Sequence, residues 1–156
     1  MTLFKATFSR RHRFSDWPNT EVPSSAAGVY AIWEGETLIY CGMSGRRFEA
    51  NSSKPRYGLI TRLGSHATGR LSGDQFCVYV ANRLVIPTIT PAQMPDFASG
   101  ALKLDTLTRA YIHERFEYQF AIVQSSAQAY ELERCCRQGL EFGMRPVLNP
   151  LQHPIG

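Results

Sequence analysis

The pattern of hydrophobic and polar positions predicts a β-hairpin in the first third of the chain. Two apolar runs, 28–33 and 37–42, are rich in β-branched and aromatic residues and are separated by Glu34-Gly35-Glu36. Short runs of this kind, joined by a glycine-containing turn, are typical of two antiparallel strands. Similar patterns predict strands over 75–81 and 118–123, so we expect a small antiparallel sheet.

Helical periodicity predicts three helices that flank this sheet. Apolar residues gather on one side of a helix over 57–66, and 102–116 has a comparable pattern. Ser125 or Ser126 is a suitable N-cap for a third helix, which we expect to continue to about Leu140. The chain therefore has the pattern of one α+β domain.

The length of 156 residues fits one domain without repeats or an interdomain linker. We expect a basic arm and loop over 1–27 and a core over 28–150. The stretch 74–100 is expected to be an insertion before the last core strand, and its 86–95 part contains prolines and should be irregular.

The composition excludes several classes of protein. Hydrophobic residues make up 44% of the chain, enough to bury a core and to exclude global disorder. No run approaches the roughly 20 apolar residues of a membrane span, and 1–13 lacks the apolar segment of a signal peptide. The four cysteines form no CxxC pair and the four histidines show no zinc spacing. Reduced thiols in a cytoplasmic protein are the simplest explanation.

The charge is mildly basic and is carried mostly by arginine. There are 17 Lys+Arg against 13 Asp+Glu, a net charge of +4, and three of the 17 are lysine, namely Lys5, Lys54 and Lys103. The planar guanidinium group binds phosphate through two hydrogen bonds, so an arginine-rich chain favours polyanion binding. Compositional bias of the genome explains the same excess equally well.

Two glutamates on the predicted last helix fall in different environments. At about 100° per residue, Glu131 points away from the apolar side and is expected to be a solvated surface acid. Glu133 falls at the border of the apolar side, where an ionised carboxylate needs a partner. That partner is either a cation or an arginine in an ordinary surface contact.

Four other side chains could carry chemistry. Arg62 and His66 are four residues apart and share a helix face, which suits phosphate binding and proton transfer or, equally, two ordinary surface groups. Tyr30 and Tyr40 can meet across the hairpin. They either pack as aromatic residues or act at a site where a neighbouring cation and arginine lower the phenol pKa for general-base work.

The hairpin motifs resemble those of a known nuclease superfamily. Gly28-Val29-Tyr30, nine further residues and then Tyr40-Cys41-Gly42 resemble the paired motif that names the GIY-YIG nucleases. Four polar residues follow in matching order on the predicted elements: Arg62, His66, Glu133 and Asn149. The spacing of Arg62 and His66 is most similar to the restriction-endonuclease branch of the superfamily.

The resemblance implies a small antiparallel β-sheet with a three-stranded core, flanked by helices. It also implies Mg²⁺- or Mn²⁺-dependent hydrolysis of DNA phosphodiester bonds. Glu133 would hold the single divalent metal, Tyr30 would take the proton of the attacking water, and Tyr40 would shape the network beside it. Hard cations of this kind prefer oxygen ligands and offset the charge that develops in phosphoryl transfer. The role implied for Arg62 is charge stabilisation on the phosphoryl group.

The resemblance also assigns roles to His66 and Asn149. His66 would assist the tyrosine or position the water, and Asn149 would orient its neighbours by hydrogen bonding. Two positions depart from the family pattern: Cys41 replaces an aliphatic residue, and Met43 stands where several branches have lysine. If that lysine helps to lower the tyrosine pKa, we expect His66 to substitute for it, although the base could be Tyr30, Tyr40 or His66.

Duplex DNA is the expected partner, and a single domain must both recognise and cut it. Seven basic residues are candidates for contacts with the phosphate backbone: Arg46, Arg47, Lys54 and Arg56 near the presumed site, and Arg10, Arg11 and Arg13 in the arm. Solvated charge is the alternative for both groups. The 74–100 stretch could read bases or form a dimer interface, and a palindromic target would favour a C2 homodimer.

Three classes of function remain open at this point. The first is a metal-dependent DNA endonuclease, either of restriction type or a repair or recombination enzyme with the same chemistry. The second is a DNA-binding module that keeps the fold without cleavage. The third is a structural or partner-binding domain, in which Tyr30 and Tyr40 are buried apart from Glu133.

Overall fold

A four-stranded antiparallel sheet lies at the centre of the protein, as seen in the computed structural model, which describes residues 5–45 and 58–150. The strands are β1 (His12–Arg13), β2 (Gly28–Glu34), β3 (Thr37–Ser44) and β4 (Glu117–Ile122), in the spatial order β1-β4-β2-β3. The predicted α+β class is therefore confirmed. The three long strands correspond to the expected core, and β1 adds a short fourth strand at one edge.

The predicted hairpin forms between β2 and β3. Gly35 takes a positive φ of 56° in the turn, where glycine has no steric cost. Tyr30 lies opposite Gly42 and Ile32 lies opposite Tyr40, with a register shift between Ile32 and Trp33. The two tyrosines are therefore diagonal neighbours, and their side chains occupy the same face of the sheet.

Five α-helices complete the described part of the chain. They are α1 (Leu59–Thr68), α2 (Gln75–Val80), α3 (Met94–Ser99), α4 (Leu104–Arg115) and α5 (Ser126–Arg137). The predicted α4 and β4 are confirmed, and Ser125 caps α5 by accepting a hydrogen bond from the Gln128 N–H. Helix α5 ends before the expected Leu140, because Gly139 adopts a φ of 83° and closes the helix with backbone hydrogen bonds to its last carbonyls.

The strand predicted over 75–81 was wrong, since these residues form α2 and the turn that follows it. Asp74 is the N-cap, and its carboxylate accepts a hydrogen bond from the Cys77 N–H. Phe76, Cys77 and Val80 are buried, a spacing that fits a helix face against the core. The stretch expected to be an insertion therefore begins with residues that belong to the core.

The helices cover both faces of the sheet. On one face, Tyr30 and Ile32 of β2 pack with residues of α1 and α2 such as Leu59 and Phe76. On the other face, Val29 and Ala31 pack with α5, including Leu132. Alternation along β2 thus assigns successive side chains to two different hydrophobic layers.

Part of the expected basic arm, within residues 5–13, lies along the edge of the sheet. His12 and Arg13 pair with β4, and the Ser9 N–H donates a hydrogen bond to the Phe120 carbonyl at 2.7 Å. A strand this short has no detectable pattern of its own, so its pairing depends on the neighbouring strand. Within the described residues, no helix is long and apolar enough to cross a membrane.

The C-terminal segment covers the opposite edge of the sheet. The Val147 and Leu148 N–H groups donate to the carbonyls of Leu38 and Ile39, at 3.1 Å and 2.9 Å. Backbone groups on the outer edge of β3 are thereby satisfied. This places Asn149 beside the second hairpin motif.

Candidate active site

A chain of short hydrogen bonds links three buried residues from different elements. The Tyr30 hydroxyl lies 2.7 Å from His66 Nε2, and His66 Nδ1 lies 2.7 Å from Asp74 Oδ2. Tyr30 and His66 are fully buried, and Asp74 is 3% exposed. Because β2, α1 and the start of α2 are all packed into the core, the three groups are held in fixed positions.

The protonation states of Asp74 and His66 follow from their burial and their hydrogen bonds. Burial by itself favours a protonated Asp74, but hydrogen bonds from His66, Ser65 and the Cys77 N–H outweigh it and lower the Asp74 pKa to about 2. Burial lowers the His66 pKa, with Asp74 acting in the opposite direction. At neutral pH, Asp74 is therefore a carboxylate that faces a neutral imidazole.

This pairing defines which nitrogen of His66 carries the proton. A carboxylate can only accept, so Nδ1 must be the N–H that donates to Asp74. Nε2 is then the unprotonated nitrogen, and it accepts the hydrogen bond of the Tyr30 hydroxyl. The Tyr30 oxygen keeps lone pairs with which it can accept a proton from another molecule.

Without a bound cation, the protein chain raises the phenol pKa of Tyr30. Burial raises the pKa of Tyr30 well above its usual value, with a further rise from Tyr40. Arg62 opposes this shift from α1 but does not overcome it. Tyr30 is consequently a neutral phenol at rest, hydrogen-bonded to a group that can take its proton.

Both motif glycines leave space for a neighbouring side chain. A Cβ at Gly42 would overlap the hydroxyl and ring of Tyr30, and one at Gly28 would overlap the Ala121 carbonyl and the Leu59 side chain. Gly42 therefore lets the Tyr30 ring lie flat across β3, and Gly28 lets α1 approach the sheet. The position of the Tyr30 side chain, which contacts His66, therefore depends on the absence of a Cβ at Gly42.

Tyr40 connects the hydrogen-bonded chain to the acid on α5. Its ring lies 6.4 Å from that of Tyr30 and 6.1 Å from that of His66, measured between centroids. Burial raises the Tyr40 pKa to about 12, with the charge of Glu133 as the next contribution. Glu133 is thus close enough to act electrostatically on Tyr40, although α5 packs on the other face of the sheet.

Glu133 forms an ion pair with Arg137. An arginine is one of the two kinds of partner expected for a carboxylate at the border of the apolar side. Its carboxylate lies 3.2 Å from Arg137 Nη1, and the two side chains are 14% and 23% exposed. Glu131, in contrast, is 61% exposed beside Arg134, as expected for a surface acid. The half-turn between the two glutamates therefore separates a partly buried carboxylate from a solvated one.

The residues present fit a magnesium ion bound through a single carboxylate. Mg²⁺ retains several waters and often takes one or two carboxylates together with substrate phosphates, so Glu133 alone can provide the protein ligand. In the described part of the chain, no three His, Cys, Asp or Glu side chains gather in a way that could hold a metal. The site thus lacks a cage made entirely of protein ligands, which Mg²⁺ does not require.

Asn149 fastens β3 to the C-terminal segment. Its side-chain oxygen accepts from the Cys41 N–H at 2.8 Å, and its amide nitrogen donates to the Cys41 carbonyl at 2.9 Å. Arg137, the partner of Glu133, donates to the Pro150 carbonyl of the same segment at 3.3 Å. Asn149 therefore orients the strand that carries Tyr40. It also precedes Pro150, which accepts a hydrogen bond from the arginine that pairs with Glu133.

The expected DNA-contacting residues are in different situations. Arg10 pairs with Glu21 at 3.2 Å, whereas Arg11 donates to the Gly35 carbonyl and stacks on Trp33 at 4.2 Å. Arg13 is exposed. The four basic residues between β3 and α1, namely Arg46, Arg47, Lys54 and Arg56, lie outside the described residues.

Asp74 is the site residue that the sequence did not identify. It lies in the stretch taken for an insertion, eight residues after His66, and nothing in that spacing indicates a contact. An aspartate directly before an apolar run is a typical N-cap signal, and that signal could have located the start of α2. The link to His66 depends on how α2 packs against α1.

The structure brings together four of the six residues expected from the sequence: Tyr30, Tyr40, Arg62 and His66 on the α1 side of the sheet. Glu133 lies on α5 and acts on Tyr40 through its charge, and Asn149 forms hydrogen bonds with the backbone of Cys41 beside Tyr40. Comparison of the chain with protein-family models, with curated proteins and with solved structures gave no match.

Proposed function

We propose that this protein is a GIY-YIG-like, Mg²⁺-dependent endonuclease that hydrolyses phosphodiester bonds in duplex DNA. The observation that carries the proposal is the buried Tyr30–His66 hydrogen bond beside Arg62, with Tyr40 next to it and under the charge of the partly buried Glu133. A domain in which the tyrosines only pack has no need for this arrangement. Such a domain also predicts both tyrosines to be buried apart from Glu133, whereas the charge of Glu133 acts on Tyr40.

The proton of the attacking water follows the Tyr30–His66 hydrogen bond. Since the raised pKa keeps Tyr30 neutral, the phenol must give its own proton to His66 Nε2 as it accepts one from water. The imidazolium that forms faces the Asp74 carboxylate. The sequence left Tyr30, Tyr40 and His66 as alternatives for the base, and this geometry favours Tyr30 acting together with His66.

Arg62 and Glu133 act on the phosphate itself. Arg62 supplies positive charge beside the Tyr30 phenol, where negative charge grows on the phosphoryl oxygens. Glu133 would hold the metal through the carboxylate that now contacts Arg137. When bound, Mg²⁺ contributes a further positive charge that stabilises the phosphoryl group.

Recognition of the target would fall to basic residues outside the cluster of Tyr30, Arg62 and His66. Arg13 and the basic residues between β3 and α1 are the proposed contacts to the DNA backbone, and Arg10 and Arg11 would have to leave their present partners to join them. A restriction-type enzyme of this size would act on a palindrome as a C2 homodimer in the cytoplasm. A repair or recombination nuclease would use the same chemistry on branched DNA.

Cleavage by two glutamate variants tests the proposal. Wild type, Glu133→Gln and Glu131→Gln are incubated with linear duplex DNA and with a four-way junction in Mg²⁺. We expect wild type and Glu131→Gln to cut, and Glu133→Gln to lose at least about 100-fold in rate, because it lacks the metal ligand.

The matched control is Glu131, which lies two positions away on the same helix. Equal cleavage by both variants would remove Glu133 from the mechanism. DNA binding without cutting by all three proteins would indicate the non-catalytic binding module instead. Preference for the junction over the duplex would identify a repair or recombination enzyme.

A further inference from the structure

Asp74 makes more contacts than a helix cap requires. One carboxylate oxygen, Oδ1, accepts the Cys77 N–H at 3.1 Å, and this bond alone satisfies the start of α2. The other oxygen, Oδ2, accepts from His66 Nδ1 at 2.7 Å and from the Ser65 hydroxyl at 2.6 Å. Oδ2 thus contacts two residues of α1, one of which is His66 of the candidate site.

The surroundings of His66 give this contact a chemical consequence. The imidazole is fully buried, and its ring lies 4.5 Å from that of Phe76 and 5.4 Å from that of Tyr30. A neutral imidazole carries its proton on either Nδ1 or Nε2, and the hydrogen bond made by one nitrogen determines the state of the other. With the proton on Nε2, His66 would donate to the Tyr30 oxygen and could not accept its proton.

We propose that Asp74 is a positioning residue that holds His66 in the Nδ1–H tautomer, with Nε2 aimed at the Tyr30 hydroxyl. In the reaction, the O–H bond of Tyr30 breaks as the N–H bond at His66 Nε2 forms, and the Tyr30 oxygen takes one proton from the attacking water. The imidazolium then carries protons on both nitrogens and faces the Asp74 carboxylate. The catalytic consequence rests on the proposed nuclease function, but the tautomer does not.

Nitrogen-15 NMR of the histidine side chains tests the tautomer directly. The full chain, labelled with ¹⁵N-histidine and free of DNA and metal, is expected to show His66 with Nδ1 protonated and Nε2 unprotonated. A wild-type spectrum with the opposite pattern overturns the proposal before any variant is made. Assignment uses a His66→Gln variant, from which the signals of this one residue disappear.

Asp74→Asn is the main variant, because its side-chain oxygen can still accept the Cys77 N–H. The amide group then faces Nδ1 as a donor, so we expect the proton of His66 to move to Nε2. Ser65→Ala is the matched control, since it removes the other donor to Oδ2 and leaves the His66–Asp74 bond in place. If Asp74→Asn keeps the wild-type tautomer, Asp74 is a structural cap and the proposal is wrong.

Kinetics of DNA cleavage then test the consequence for the reaction. We expect Asp74→Asn to lower kcat by about 10²- to 10⁴-fold with KM little changed, and Ser65→Ala to stay within a few-fold of wild type. A switched tautomer with unchanged kcat would overturn the catalytic part of the proposal. If the spectra change as expected but even wild type cuts no DNA, the positioning of His66 by Asp74 stands and the nuclease proposal fails.

Discussion

The hydroxyl oxygen of Tyr30 lies 2.7 Å from Nε2 of His66, in a fully buried part of the sheet–helix interface. The Tyr30 pKa is raised by burial, so the phenol alone is a poor base at neutral pH. A partner that accepts the phenolic proton removes this difficulty, since no isolated phenolate has to exist. The hydrogen bond between these two residues is therefore central to the proposed chemistry.

Tyr30→Phe is expected to abolish cleavage while leaving the fold intact. The substitution removes the hydroxyl that links water to His66 and keeps the ring that packs in the core, so kcat should fall by about 10²- to 10⁴-fold. Tyr111→Phe, on α4 and away from the site, serves as the control and should cut at the wild-type rate. Single-turnover cleavage measures both, and a Tyr30→Phe variant of wild-type rate would exclude Tyr30 as the base.

Gly42→Ala is expected to destabilise the protein by displacing Tyr30. The added Cβ would overlap the Tyr30 hydroxyl and ring, and such overpacking typically costs about 1–3 kcal/mol in the free energy of unfolding. Urea denaturation of a double-mutant cycle with Tyr30→Phe gives the coupling. We expect the cost of Gly42→Ala to be smaller in the Phe background, because part of the overlap is gone, and additive costs would show that the two residues are not in contact.

Asn149→Ala should loosen the edge of β3 that carries Tyr40. It removes two hydrogen bonds to the backbone of Cys41, a loss of about 1–3 kcal/mol in the free energy of unfolding. The activity should fall as well, because the strand beside Tyr40 and Glu133 is less well held. Asn82→Ala, at an exposed position, is the control for urea denaturation, and equal stability of both variants would contradict the bridging role.

The stability of the protein should decrease in two stages as the pH is lowered. The lowered His66 pKa means that the unfolded chain takes up a proton first, so stability falls as the pH drops below about 6.5. The Asp74 pKa of about 2 lies below its ordinary value of 3.8, so the carboxylate stabilises the fold above pH 3.8 and loses this contribution as the pH falls towards 2.

Asp74→Asn isolates the second stage. The Asp74 contribution is about 2 kcal/mol at neutral pH, so the difference in unfolding free energy between wild type and Asp74→Asn should shrink by about this amount between pH 4 and pH 2. Urea denaturation at several pH values measures it. A difference that stayed constant over this range would show that the Asp74 pKa is not lowered in the folded protein.

Local signals in the sequence predict the hairpin, α4, β4 and α5, whereas packing decides the structure of 75–80 and the pairing of β1. The turn at Gly35 and the Ser125 cap each act within a few residues, so the sequence alone indicates them. The 75–80 run alternates like a strand, but the Asp74 cap and the burial of residues on one helix face make it α2. A six-residue apolar run is too short for its period to decide between the two structures.

In the candidate site, too, the sequence predicts individual residues, whereas packing determines the contacts between elements. Order along the chain, through the family resemblance, identified Tyr30, Tyr40, Arg62, His66, Glu133 and Asn149. It could not show that Asp74 contacts His66, or that Gly42 makes room for Tyr30, because both contacts join different elements. The direction of the Tyr30 pKa shift likewise depends on burial, which spacing does not reveal.

Single-turnover incubation of the wild-type protein with a duplex DNA library, in Mg²⁺ and in parallel with EDTA, tests the central claim most directly. The account predicts DNA fragments in Mg²⁺, none in EDTA, and recovery of cleavage when Mg²⁺ or Mn²⁺ is restored in excess of the chelator. DNA that is bound by the folded protein but stays intact with either metal, on both linear and branched duplexes, would contradict it.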